Sequence, residues 1–268
     1  MGTKRKSYST LRARVDALGD ALSGWRKRHR PFSRAYARYD WPNSFLPELD
    51  RRIAIAPAQR FVWIRVPKAA NSTIARTLWA ALHPGAQGAP RGDDAKRWFE
   101  RPSALDAEAV AQVEGFYKFM IVRNPFTRAL AAYLDKAGHR KCGYKIRRRP
   151  VTPGEPPVDF RGFCEYLAAG GVNDDPHWCV QARLSPFPIE RLDTVGYVES
   201  LESDLARIVT ELLPERDNPQ ALVPALGHAT GASGKVPAYY GEAERRLIAQ
   251  AYAEDFEHFG YDPGRLPA

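Results

Sequence analysis

Within seven positions, Pro67-Lys68-Ala69-Ala70-Asn71-Ser72-Thr73 combines a lysine, two small residues, and amide and hydroxyl side chains. Between a strand and a helix, such a loop is an anion cradle. The first N–H groups of a helix have no intrahelical acceptor, the positive end of the helix dipole points the same way, and small residues let an oxyanion approach the backbone. Lys68 adds a full charge that can follow an oxygen as it becomes negative. The chemistry predicted is therefore binding of a phosphate-like group, with stabilisation of charge developing on one of its oxygens. A nucleotide triphosphate loop would read G-x-x-x-x-G-K-[ST], whereas Lys68 precedes this loop and no glycine lies in it.

Such a cradle needs a strand before it and a helix after it. Phe61-Val62-Trp63-Ile64-Arg65-Val66 reads as a buried strand that Pro67 ends, with Ile53-Ala54-Ile55 as a neighbouring strand. Ile74, Leu78, Ala81 and Leu82 give a helical period, and Asn71, Ser72 and Thr73 are predicted to supply its N-cap oxygens. The same grammar returns at Phe119-Met120-Ile121-Val122-Arg123, a strand ending in Asn124-Pro125, with Phe126, Leu130 and Tyr133 on a helix that follows. Two strand-loop-helix units predict a central parallel sheet. Further helices are expected near 159–169, 201–213 and 241–256, with a short strand at 195–198. The fold class predicted is α/β, one domain over residues 46–268 with helices flanking the sheet.

The remaining residues form an arm of different composition. Residues 1–40 hold 11 Lys or Arg against Asp16, Asp20 and Asp40, so they carry +8 of the net +9 and the body is nearly neutral. Leu11, Val15, Leu18, Leu22 and Trp25 share one stripe, which predicts a basic amphipathic helix near 9–28. Within an arm over residues 1–45, that helix is expected either to pack on the domain or to meet a membrane surface or an acidic partner. A second basic cluster, Lys136 to Arg149, reads as a surface loop that attracts anions locally. No apolar run approaches the length of a membrane span, and the first 30 residues contain no apolar secretory core, so a cytoplasmic location is expected. Cys142, Cys164 and Cys179 lack paired spacing, which predicts reduced structural thiols and no metal site.

Residues 61–82 resemble the 5′-phosphosulfate motif of sulfotransferases that use 3′-phosphoadenosine 5′-phosphosulfate (PAPS). Ile121-Val122-Arg123-Asn124-Pro125-Phe126-Thr127-Arg128, through Tyr133, is similar to the 3′-phosphate motif of that family. His177-Trp178 with Gln181, Tyr197 to Glu202, Tyr252, Asp255-Phe256 and Phe259-Gly260-Tyr261 resemble segments of its carbohydrate sulfotransferase branch, in order. The resemblance covers about residues 50–262 and implies a P-loop-like core. It also implies that Lys68, Ala70, Asn71, Ser72, Thr73 and Arg123 bind PAPS as co-substrate. Two positions depart from the pattern: Asn124 replaces an Asp, and Ala131 stands where the family has a serine on the 3′-phosphate, a loss that Thr127 or Arg128 would have to offset.

The chemistry so implied is metal-free transfer of a sulfuryl group to an acceptor hydroxyl, on a carbohydrate or another hydroxyl compound that can itself be anionic, with no nucleic-acid partner. Lys68 would neutralise the leaving oxygen and His177 would take the acceptor proton, with His139 second in line. Two rivals remain open at this point: a kinase using the same cradle, and a polyanion-binding protein acting through the arm.

Overall fold

The computed structural model describes residues 32, 50–86, 90–137, 146–147, 154–214 and 231–267. The predicted arm helix, His139, Cys142 and most of the basic loop lie outside them. Four strands form one sheet in chain order: β1 (Ile53–Ala56), β2 (Phe61–Ile64), β3 (Tyr117–Val122) and β4 (Thr194–Tyr197). β2, β3 and β4 run parallel, with Trp63 opposite Phe119 and Ile121 opposite Gly196. β1 runs antiparallel to β2, an edge the parallel expectation did not include. Its link to β2 is the single turn Pro57–Gln59 followed by Arg60 at φ 54°, far too short for the crossover that a parallel pair requires.

Nine helices surround the sheet among the described residues: α1 (Asn71–Leu82), α2 (Gly92–Arg97), α3 (Ala107–Val113), α4 (Pro125–Ala132), α5 (Phe160–Ala168), α6 (Leu201–Leu212), α7 (Ala232–Tyr239), α8 (Glu242–Ala251) and α9 (Ala253–Phe259). A π-helical turn, Tyr133–Ala137, extends α4. The helix expected over 241–256 is two, divided at Tyr252. No described helix is long and apolar enough to cross a membrane.

Strand alternation divides the core between the two faces of the sheet. Phe61, Trp63, Phe119 and Ile121 face α1 and α6, with Trp63 stacked on Phe119 at 6.4 Å and edge-on to Phe99 at 5.7 Å. Val62, Ile64, Met120 and Val122 face α4, α5, α7 and α8. Every sheet residue from Phe61 to Ile64 is buried, and each such side chain stabilises the fold by about 1.5–3 kcal/mol. Cys164 and Cys179 lie inside this packing, and burial pushes the Cys179 thiol up to about 12. Such thiols are inert, as the sequence predicts for structural cysteines.

Candidate functional site

The chain leaves β2 and turns over the end of the sheet with two non-glycine residues in the left-handed region, Lys68 at φ 68° and Ala70 at φ 54°. Each such residue costs about 1–3 kcal/mol, so the loop holds its shape only because its surroundings impose it. Two arginines do so: Arg128 Nε donates to the Pro67 carbonyl at 3.0 Å, and Arg123 Nη1 donates to the Lys68 carbonyl at 3.2 Å. Helix α1 then starts, and its first bond runs from the Ile74 N–H to the Ala70 carbonyl at 3.1 Å. The N–H groups of Asn71, Ser72 and Thr73 therefore have no intrahelical acceptor and are available to an anion.

The N-cap itself is Ala70, without a side-chain bond. The expectation that Asn71, Ser72 or Thr73 caps the helix is corrected by that left-handed residue, which starts the helix one position early and moves all three side chains into its first turn. Ser72 Oγ accepts a bond from Lys96 Nζ at 2.9 Å, Thr73 is buried, and the Asn71 Oδ1 is buried with no partner.

Lys68 Nζ is in direct contact with the Asp135 carboxylate, from the π-helical turn after α4. Burial pulls the Lys68 ammonium below its ordinary range, and Asp135 draws it back without cancelling the effect. The same contact holds the Asp135 carboxyl below the usual carboxylate range. Asp135 lies just beyond the segment whose motifs the sequence reading used, and only its position one turn past Ala131 could have signalled it.

Arg123 ends β3 and is fixed on all sides. Its Nε donates to Thr127 Oγ1 at 3.0 Å, and its Nη2 lies 3.5 Å from Ser233 Oγ, at the start of α7. Five N–H donors serve three such bonds, which leaves two for a ligand. Gln181 clamps the Arg123 backbone from both sides, with Oε1 accepting from its N–H at 3.0 Å and Nε2 donating to its carbonyl at 2.9 Å. Fully buried Asp255 in turn accepts from the backbone N–H groups of Gln181 and Ala182 at 2.9 and 3.0 Å. Glu199 accepts from the Asn124 N–H at 2.8 Å and from the Tyr261 hydroxyl at 2.9 Å. The side chain of Asn124 accepts from the Phe126 N–H at 3.0 Å, a capping bond that an Asp would make equally.

Neither proposed substitute for the missing serine is free to act as one. Thr127 is buried and its hydroxyl serves Arg123 and the Asn124 carbonyl, while Arg128 is 1% exposed and spends its donors on the carbonyls of Pro67, Cys179 and Pro176. Ala131 is itself enclosed in the core, 0% exposed.

His177 lies on the segment that Arg128 ties to the cradle, because one guanidinium bonds both the Pro67 and the Pro176 carbonyls. Its Nδ1 is 2.8 Å from Asp175 Oδ1. With Nδ1–H donating to that carboxylate, Nε2 is the free proton acceptor, the arrangement a general base needs. The sequence reading did not include Asp175, although the Asp-x-His spacing was visible.

The profile of the sulfotransferase family matches residues 51–262. Carbohydrate sulfotransferase 10 of Pongo abelii is 25% identical over 245 residues, covering 78% of this chain and 67% of that protein. Its counterpart in Xenopus laevis is 26% identical over 251 residues, with the same two coverages, 78% and 67%. Carbohydrate sulfotransferase 14 of Mus musculus is 28% identical over 193 residues, 64% of this chain and 49% of that protein. No solved structure matches significantly. Since the profile spans the cradle, the Arg123 strand end and the Asp255 to Tyr261 network together, the kinase reading falls away and the chain belongs to the sulfotransferase family.

Proposed function

We propose that this protein transfers the sulfuryl group of PAPS to a hydroxyl of a carbohydrate. One observation supports the donor most directly: Arg123 Nη1 donates to the carbonyl of Lys68, so cationic groups end the adjacent parallel strands β2 and β3. Neighbouring strands lie about 4.8 Å apart, and a nucleotide with phosphates on both its 5′ and 3′ positions presents two anions to such a pair of sites. The printed names of the relatives support a carbohydrate acceptor.

On this reading the 5′-phosphosulfate rests on the N–H groups of Asn71, Ser72 and Thr73, and Arg123 takes the 3′-phosphate with its planar fork. The acceptor oxygen forms a bond to sulfur as the bond from sulfur to the bridging oxygen of the 5′-phosphate breaks. Lys68 moves from Asp135 to that bridging oxygen, and the acceptor proton passes to Nε2 of His177.

Arg123→Ala is expected to weaken binding of 3′-phosphoadenosine 5′-phosphate by about tenfold or more, the worth of a charge-assisted bond, and to leave binding of adenosine 5′-phosphate nearly unchanged. Calorimetric titration of both nucleotides checks this, and equal losses would remove the 3′-phosphate from Arg123. His177→Ala is expected to lower transfer by about two to four orders of magnitude with nucleotide affinity intact. A variant that keeps its rate would show that His177 is structural.

A further inference from the structure

Helix α2 lies against the first turn of α1, beside the cradle. Gly92 makes the approach possible, because a Cβ there would lie 2.5 Å from that of Ser72, and Ala95 is buried in the core on the α1 face of the sheet. One turn past Gly92, Lys96 turns its ammonium back to α1 and donates to Ser72 Oγ and to Asp93 Oδ1, each at 2.9 Å. Its side chain is 17% exposed, whereas that of Asp93 is 85% exposed. An ion pair so open to water adds little stability, and Asp93 by itself does not account for a lysine held in this place. The place is also a poor one for a cation. The N-terminus of α1 carries the positive end of the helix dipole and favours an acid, yet the first turn of α1 contains none. A lysine bonds its second residue instead, and Lys68 stands on the loop before it. Charge set against local stability in this way marks a site where an anion offsets the cost.

The bond from Lys96 decides what the Ser72 hydroxyl can do. An ammonium has donors only, so Oγ is the acceptor of this pair and the hydroxyl keeps its own hydrogen for another acceptor. Among the described residues no acceptor takes it. The Cα–Cβ bond of a helical residue tilts toward the helix N-terminus, which carries Oγ toward the end where the N–H groups of Asn71, Ser72 and Thr73 also lack acceptors.

We propose that Lys96 is a positioning residue of the cradle: by donating to Ser72 Oγ, it commits the Ser72 hydroxyl to donate to the 5′-phosphate of the nucleotide. The nucleotide rests on the sulfuryl-transfer reading, whereas the bond between Lys96 and Ser72 does not. Breaking the bond from sulfur to the bridging oxygen leaves one more negative charge on that 5′-phosphate, so a charge-assisted bond from Ser72 strengthens as transfer proceeds. Lys96 acts through Ser72 and touches none of the reacting atoms. Its charge polarises the hydroxyl that it bonds, which makes that hydroxyl a better donor.

The test compares, by calorimetry on the full chain, 3′-phosphoadenosine 5′-phosphate with adenosine 3′-phosphate, which lacks the 5′ group. Lys96→Met is expected to weaken binding of the first by about tenfold and to leave the second unchanged. Ser72→Ala is expected to show the same selective loss, and the double variant no further loss, because Lys96 acts only through that hydroxyl. Lys96→Arg, which keeps donors and gains no acceptor, should restore most of the affinity. Equal losses for the two nucleotides would show that Lys96 only holds α2 against α1, and additive losses in the double variant would show that it acts apart from Ser72. Either result overturns the proposal. If Lys96→Met fails to fold, Lys96→Gln makes the same comparison, since an amide oxygen can take the Ser72 hydrogen. A wild type that binds the two nucleotides equally would take the 5′-phosphate off the cradle and overturn the donor reading together with the proposal, an outcome distinct from the failure of Lys96 alone.

Discussion

Lys68→Ala is expected to slow sulfuryl transfer by about two to three orders of magnitude, the scale of losing one preorganised donor to a developing oxyanion. The Lys68 side chain is only 15% exposed, so little water is present to take over the neutralising role. Removing it leaves the helix N–H groups that hold the nucleotide in place, and for that reason affinity for 3′-phosphoadenosine 5′-phosphate falls much less than the rate. Asp135 gains from the same ion pair in the unliganded protein, and in the variant its carboxylate faces the incoming phosphosulfate with only Lys136, at 3.6 Å, as a counter-charge. Part of the affinity loss is therefore repulsion by Asp135, and Lys68→Ala with Asp135→Asn should recover nucleotide affinity but not rate. Single-turnover transfer together with calorimetry separates the two. A Lys68→Ala protein with wild-type turnover would end the assignment of Lys68 to the leaving oxygen.

The parts of this site that are legible in the sequence are those built from contiguous residues. A strand, a breaker, a lysine and small residues before a helical period can only make a cradle, and Arg123 at the end of a second strand can only lie beside it. The N-cap is not legible in the sequence because left-handed Ala70 carries no signature in its side chain, and glycine is the residue that announces that conformation. Helix α7, which brings Ser233 to Arg123, contains Gly234 and Pro237, residues that ordinarily interrupt a helix. The pairings of Asp135 with Lys68, Gln181 with Arg123 and Asp255 with Gln181 join segments far apart in the chain, and no local period encodes them. Arg128 illustrates the same limit most sharply. As the second arginine of a phosphate-like motif it reads as a ligand for anions, yet the structure buries it and turns every donor it uses onto the backbone.

From that placement, Arg128→Met is expected to destabilise the protein by about 3–5 kcal/mol, the cost of breaking a buried charge network from one side. Methionine matches the arginine stem and leaves no large cavity, so the loss isolates the polar part. The carbonyls of Pro67, Pro176 and Cys179 lose their donor, and fully buried Asp255 loses the cation that offsets its burial. Burial already raises the Asp255 carboxyl above the ordinary carboxylate range, and without Arg128 it rises further. A carboxyl with a raised folded-state pKa binds its proton more tightly folded than unfolded, so its share of stability is greatest in acid and is lost as pH rises through that raised value. The gap between variant and wild type should therefore widen from mildly acidic to neutral pH, with a drop in Tm of about 10 °C or more at neutrality. Thermal melts across that range check the sign. If Arg128 met the nucleotide instead, Arg128→Met would weaken binding of 3′-phosphoadenosine 5′-phosphate with little change in Tm, and the pin between the cradle and the His177 segment would have to be sought elsewhere.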